Sequence, residues 1–275
     1  MLADLHLHTR YSDGTYTPAS VVAAARETGL SVISVTDHDT MEACAEAEQE
    51  ASRAGMQFIA GCEVTAELDG RELHILGYLL DGAQPDLRRE LLHAQEIRQQ
   101  RVRDMVARLQ GRGIPLEMDA VFSVAACRAP GRPHVARALV QGGHCGSLDE
   151  AFERFLKKDR PAWVPKEKMP AARAIELIRV AGGVSVLAHP GLNRDDSIVE
   201  RLVGLGIEGL ECYHPKHPPA ASARYEAMAA AFGLVVTGGS DCHGRSQNRA
   251  TMGSVRIPMD RVLRLRERQA ARPMR

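Results

Sequence analysis

Short β-branched runs alternate with helical segments along most of this 275-residue chain, and a histidine or carboxylate stands at or near the end of nearly every run. Thr17 followed by Pro18 reads as an N-cap and a first helical residue, and the helix predicted over residues 19–28 stops at Gly29. Residues 31–36 are nearly continuously β-branched, as in a strand buried on both faces, and they deliver Asp37, His38 and Asp39. A helix over residues 41–54 ends at Gly55, and a strand over residues 56–61 leads to Glu63. Short links between such elements are the signature of parallel βα units. Residues 64–68, the Asp69-Gly70 turn and residues 72–80 then read as a hairpin with His74 on its second arm.

The rhythm breaks over residues 84–168. Residues 87–112 have helical periodicity, with Val102, Met105, Val106 and Leu109 on one side and Arg98, Arg101, Arg103 and Arg108 as a basic face. Gly131-Arg132-Pro133-His134 enters a second helix, and residues 148–157 form a third. The alternation resumes with strands predicted over residues 184–188, 209–213, 234–237 and 253–257, and ends in a basic helix carrying Arg261, Arg264, Arg266 and Arg268. The expected organisation is one α/β barrel domain, residues 1–83 with 169–275, interrupted by an all-helical insertion, residues 84–168.

Parallel βα folds gather functional residues at the carboxyl ends of their strands. His6 and His8, two apart on the first strand, leave the same face. With Asp13, His38, Glu63, His74, His189, Asp241 and His243 they make nine potential ligands. A metal ion takes about four to six ligands, so nine suit two or three ions sharing a carboxylate. The donors are nitrogen and oxygen without thiolate, which fits manganese, zinc or ferrous iron. Lysine plus arginine and aspartate plus glutamate are both 35, so no net charge draws in nucleic acid or an anionic membrane. Six cysteines without a C-x-x-C pair are expected to be reduced and mostly buried, in a cytoplasmic protein that neither crosses a membrane nor requires a protein partner.

His6-x-His8 with Asp13-Gly14, Thr36-Asp37-His38-Asp39, Gly61-x-Glu63, His74, Ala188-His189-Pro190 and Ser240-Asp241-x-His243 resemble, in order, the motifs of the PHP (polymerase and histidinol phosphatase) family. The resemblance implies a distorted seven-stranded, TIM-like (β/α) barrel with a trinuclear site, in which a metal-bridging hydroxide attacks phosphorus. It would place His6, His8, Glu63 and Asp241 on one ion, Asp13, His38 and His243 on a second, and Glu63, His74 and His189 on a third. The insertion with its Gly131-Arg132-Pro133-His134 segment resembles the nucleotide branch, whose members remove the 3′-phosphate of 3′,5′-bisphosphonucleosides or trim short RNA from its 5′ end. Manganese is the expected metal, and a nucleotide or a short RNA or DNA oligonucleotide the expected substrate.

Asp13, His38 and His214 are the expected catalytic residues, with His214 at a strand end where it could protonate the leaving alkoxide. A second substrate phosphate needs its own cationic pocket, for which Arg132 and His134 at a helix entrance come first and Lys157, Lys158 and Lys166 follow. His93, His144 and His217 are expected in surface or packing roles. With Trp163 the lone tryptophan, no aromatic platform for a long single strand is visible. The alternatives are a histidinol-phosphate phosphatase, an amidohydrolase, and a non-catalytic metal-binding nucleic-acid module.

Overall fold

The computed structural model describes residues 1–244 and 251–271. Seven strands form the barrel wall: β1 (Leu2–Leu7), β2 (Val32–Val35), β3 (Gln57–Leu68), β4 (Arg71–Tyr78), β6 (Val184–Leu187), β7 (Gly209–Tyr213) and β8 (Val235–Gly238). Two-residue strands β5 (Met169–Pro170) and β9 (Ile257–Pro258) pair with β3 and β1. The β1–β2–β3 and β6–β7–β8 sets are parallel, while β4 runs antiparallel to both of its neighbours, β3 and β6. That reversal distorts the barrel.

Six helices pack around the wall: α1 (Pro18–Glu27), α2 (Cys44–Arg53), α7 (Ala171–Val180), α8 (Ser197–Gly204), α9 (Pro219–Phe232) and α10 (Met259–Ala270). Thr17 caps α1 by accepting the Ser20 N–H at 3.1 Å, as its Thr-Pro start predicts. Along β1, Ala3, Leu5 and Leu7 join apolar clusters with residues of α1 and α10. Asp4, His6 and His8 occupy the alternate face, so strand periodicity alone separates core from site.

Between β4 and β5 lie α3 (Pro85–Gln110), α4 (Met118–Ala125), α5 (Arg132–Gln141), α6 (Leu148–Ala151) and a π-helical turn, Phe152–Leu156. They hold an apolar core of their own, including Met105, Leu109, Val121, Leu139 and Leu156. Helix α4 escapes the sequence pattern because its eight residues make only two turns, and the third helix expected there is one α turn running into the π turn. The expected basic face is not one surface. Arg98 is buried against Asp39, Arg101 and Arg108 donate to the Val164 and Trp163 carbonyls, and Arg103 lies over Phe122. In the C-terminal helix, Arg261 pairs with Glu226 and Arg266 and Arg268 donate to Gln57 and the Gly233 carbonyl. The strand expected over residues 253–257 shrinks to Ile257–Pro258, since only Leu2 and Ala3 remain to pair with it. No helix among the described residues is long and apolar enough to cross a membrane.

The segment after β8 closes the wall. His8 donates its backbone N–H to the Cys242 carbonyl at 3.0 Å, and Leu7 bridges to Cys242. Just before it, a Cβ on Gly239 would stand 2.4 Å from both the backbone nitrogen and the Cβ of His6. A Gly239→Ala variant should therefore lose about 3 kcal/mol of stability, read from the urea midpoint; an unchanged midpoint would show that the closure has slack.

Candidate metal centre

Five imidazoles converge on one carboxylate. Glu63 Oε2 lies 3.2 Å from His6 Nε2, 3.2 Å from His8 Nε2 and 3.0 Å from His38 Nδ1. Its other oxygen, Oε1, lies 2.8 Å from His74 Nδ1 and 3.0 Å from His189 Nε2. Asp241 Oδ1 stands 3.1 Å from His8 Nε2 and 3.4 Å from His6 Nε2, and Asp13 Oδ1 stands 3.1 Å from His243 Nε2. All nine expected ligands thus meet at one rim.

The route by which two of them arrive differs from the expectation of strand ends. Glu63 lies midway along β3, which continues unbroken into the hairpin, and His74 lies within β4. Because β4 runs antiparallel, its early residues reach the rim where the parallel strands finish. The backbone at His189 and Asp241 is left-handed, with φ of 30° and 51°, as is Asp39 beside His38, with φ of 52°. Non-glycine residues in that region store strain and cluster at functional sites.

Several buried ligand atoms at this rim, His8 Nε2, Asp13 Oδ1, His38 Nδ1, His74 Nδ1 and His189 Nδ1, make no well-aligned hydrogen bond even though the first four stand within 3.2 Å of an ionisable neighbour. Orphaned polar atoms are costly in an interior, and metal ions would satisfy those turned to the centre. Donor atoms within 4.8 Å of one another fall into three groups: His6, His8, Glu63 and Asp241; His8, Asp13, His38 and His243; and His38, Glu63 and His74. The first matches the set implied by resemblance. The second adds His8, and the third holds His38 where His189 was expected, although His189 meets the same Glu63 oxygen as His74.

Further residues hold these donors in place. Glu211 accepts from His6 Nδ1 at 2.9 Å and from the His189 backbone N–H at 2.7 Å, so the Nε2 of His6 faces the cluster. Asp37 accepts from the Thr9 N–H and hydroxyl at 2.7 and 2.5 Å and from the Ser12 hydroxyl at 2.6 Å, pinning the loop that carries Asp13. Sequence reasoning passed over Glu211, although a charged residue inside the apolar run Gly209–Tyr213 is a legible signal.

Of the expected phosphate-binding residues, Arg132 begins α5 half-buried. His134 is buried; its Nδ1 accepts the Gly131 N–H at 3.0 Å, and burial pushes its pKa down to about 4, so the ring carries no charge for a phosphate at neutral pH. Lys157 is exposed and paired with Glu153, and Lys158 is exposed as well. Lys166 is buried and donates to Thr65 Oγ1 at 2.7 Å and Asp39 Oδ2 at 3.0 Å. His214 Nε2 lies 3.3 Å from Asp241 Oδ2, while its Nδ1 accepts the Lys216 N–H at 3.1 Å. His217 is a packing residue, bonded to the Cys212 carbonyl and the Gly191 N–H.

Burial opposes charge on His6 and His8, but the Glu211, Glu63 and Asp241 carboxylates outweigh it, raising His6 well above its usual value and His8 to about 10. Burial likewise opposes charge on Asp13, Glu63 and Asp241, and the surrounding imidazoles hold all three well below the usual carboxylate range. The carboxylates therefore contribute stability above their ordinary pKa values of 3.8 to 4.5 and lose it as pH falls through the lowered ones. His6 and His8 contribute fully below 6.5 and lose it as pH rises through their raised values, while burial lowers His38, in the opposite direction. Without metal, the melting temperature should decline as pH rises above 6.5. Bound Mn2+ should flatten that decline by replacing the protons, a difference that calorimetric scans of metal-free and loaded protein would reveal.

A PHP domain is recognised over residues 4–128. The chain is 33% identical over 250 residues to the 5′-3′ exoribonuclease Rnm of Escherichia coli, spanning 88% of this chain and 85% of that protein. It is 32% identical over 258 residues to the 3′,5′-nucleoside bisphosphate phosphatase of Chromobacterium violaceum, spanning 91% and 90%. A solved structure from Bifidobacterium adolescentis, named for a metal-dependent phosphoesterase, superposes with a TM-score of 0.90 at 31% identity, covering 97% of this chain and 96% of that one. Sequence, barrel and rim chemistry agree: this chain belongs to the PHP-domain family of metal-dependent phosphoesterases.

Proposed function

We propose that this phosphoesterase removes the 3′-phosphate from 3′,5′-bisphosphonucleosides and trims short oligonucleotides from the 5′ end, with the helical insertion holding the substrate's other phosphate. One observation carries the reading. Arg101 of α3, which donates to the Val164 carbonyl, and Arg132 at the start of α5 both lie on the insertion, and burial, then the Arg132 charge, lowers the Arg101 pKa to about 10. Glu72, two residues from His74, is held below its usual range because His74, Lys166, Arg101 and Arg132 outweigh its burial, which supports a position of the pair near the rim. Crowded cations invite a polyanion. The names of the relatives support the same substrate class. The cations disfavour histidinol phosphate, whose amine calls for acidic partners.

In this reading His6, His8, Glu63 and Asp241 hold one ion, Asp13, His38 and His243 a second, and Glu63, His74 and His189 a third. Divalent ions so held, manganese foremost, lower the pKa of water and neutralise charge gathering on the phosphoryl oxygens. Glu63, with separate histidines on each oxygen, keeps the parts of the centre in fixed register. His74 and Asp241 are the centre's most exposed members, at 22% and 26%, and Asp13 and His38 stand between them and the deeply buried His6 and His8 in exposure, at 11% and 13%, within reach of a reacting phosphate. His214 accepts a backbone N–H on Nδ1, so the ring is neutral with its proton on Nε2, where it can donate a hydrogen bond to Asp241 or to the leaving oxygen.

Phosphate release should be measured from a 3′,5′-bisphosphonucleoside, a 5′-phosphorylated oligoribonucleotide, histidinol phosphate and an aryl phosphate. Preference for histidinol phosphate would overturn the proposal. Asp13→Ala should fold and lose nearly all metal-dependent hydrolysis of every substrate. Arg132→Ala should lose about tenfold or more on the bisphosphonucleoside, the scale of a hydrogen bond to a charged group, and far less on the aryl phosphate; equal losses would remove Arg132 from the substrate pocket.

A further inference from the structure

Asp39, the residue after His38, is 1% exposed, and every polar group it owns is engaged. Its N–H donates to the Glu63 carbonyl at 3.0 Å and its carbonyl accepts from Gln95 Nε2 at 3.1 Å. Oδ1 accepts the Thr65 N–H at 2.7 Å, and Oδ2 accepts from the Thr65 hydroxyl at 2.8 Å, Arg98 Nε at 2.6 Å and Lys166 Nζ at 3.0 Å. Asp39 therefore grips β3 at the residues either side of Val64, one of them Glu63. The Thr65 hydroxyl, donating to Asp39, accepts from Arg98 Nη2 at 3.1 Å and Lys166 Nζ at 2.7 Å, using its one hydrogen and both lone pairs.

Two features give this hub a purpose beyond packing. Asp39 sits at φ 52°, a left-handed conformation that aspartate tolerates better than most residues, and its buried side chain is locked there by the bonds just described. The turn it makes puts His38 Nδ1 3.0 Å from Glu63 Oε2. Of the groups that hold Asp39, Thr65 and the Glu63 carbonyl belong to β3, while Gln95, Arg98 and Lys166 come from the stretch between β4 and β5 that carries the insertion helices. The same stretch also reaches the other rim loop, where Arg137 Nη2 donates to the Asp13 carbonyl at 2.5 Å.

We infer that Asp39 is a positioning residue through which the helical insertion sets the metal affinity of the barrel: Arg98 and Lys166 clamp Asp39, and Asp39 fixes His38 against Glu63. A ligand already held in place loses less freedom on binding an ion, and partners behind metal ligands typically contribute tenfold to a hundredfold in affinity. Lys166 then serves the metal centre from behind, with two of its three hydrogens engaged, in place of the substrate phosphate expected from the sequence.

This inference rests on His38 being a metal ligand, so the test separates the two. The metal-free full-length chain and its Asp39→Asn, Thr65→Val and His38→Ala variants are titrated with Mn2+ by calorimetry, with circular dichroism to verify folding. His38→Ala should weaken Mn2+ binding or remove a site. Asp39→Asn should weaken it about tenfold or more. Thr65→Val, which keeps side-chain shape and serves if Asp39→Asn does not fold, should weaken it at least about fivefold, since the bond to Asp39 and the two accepted from Arg98 and Lys166 are all lost. Excess Mn2+ should restore kcat in the Asp39 and Thr65 variants with KM unchanged. If His38→Ala weakens Mn2+ binding while the folded Asp39 and Thr65 variants bind it like the wild type, the positioning role is wrong and the ligand assignment stands. If the variants raise KM at unchanged Mn2+ affinity, the cluster serves substrate and the inference falls. An unaffected His38→Ala would remove both.

Discussion

The Glu63 carboxylate is the constraint on which the rest of this rim depends. A buried anion is tolerable only with compensating charge or hydrogen bonds, and here imidazoles from the ends of β1, β2 and β6 and from the β4 arm of the hairpin supply it. Its two oxygens divide the histidines into separate sets, and that division gives the centre room for more than one ion. The orphaned nitrogens around it show that neighbouring protein atoms alone do not complete the arrangement.

The hairpin of β3 and β4 makes that division possible. In an all-parallel barrel only strand ends reach the active rim, whereas the antiparallel β4 carries His74 to the rim from its early residues. Closure contributes the opposite side. Gly239 lets the chain after β8 approach His6, and Asp241 and His243 follow at once. One side of the centre comes from a reversal in the wall and the other from its seam.

The helical insertion meets the rim through backbone and buried charge. Its own apolar core lets it hold shape, and polar contacts from Gln95, Arg98, Arg137 and Lys166 fasten it to the turns bearing His38 and Asp13. In the proposed reading, metal chemistry and substrate choice share a boundary at α3 and α5, the helices that carry Arg101 and Arg132.

The sequence by itself determined the alternation of strands and helices, the interruption by helices, the ordered set of nine rim residues and the family, because strand and helix periodicities and motif spacing are local properties of a chain. It also led to the wrong surroundings for several charged residues. Arg98 and Lys166 looked like exposed cations but have their side chains buried on Asp39, and His134 is a buried, neutral ring that accepts the Gly131 N–H at the start of α5. Helix α4 was too short to declare itself, and Glu211 was readable but unread. Only the tertiary structure decided that β4 reverses, that Glu63 serves two sets of histidines and that Asp39 ties the insertion to the rim. The physical reason is that a buried charge is defined by partners far away in sequence: Asp39 meets Arg98 and Lys166, and His6 meets Glu211, across separations that no local pattern encodes.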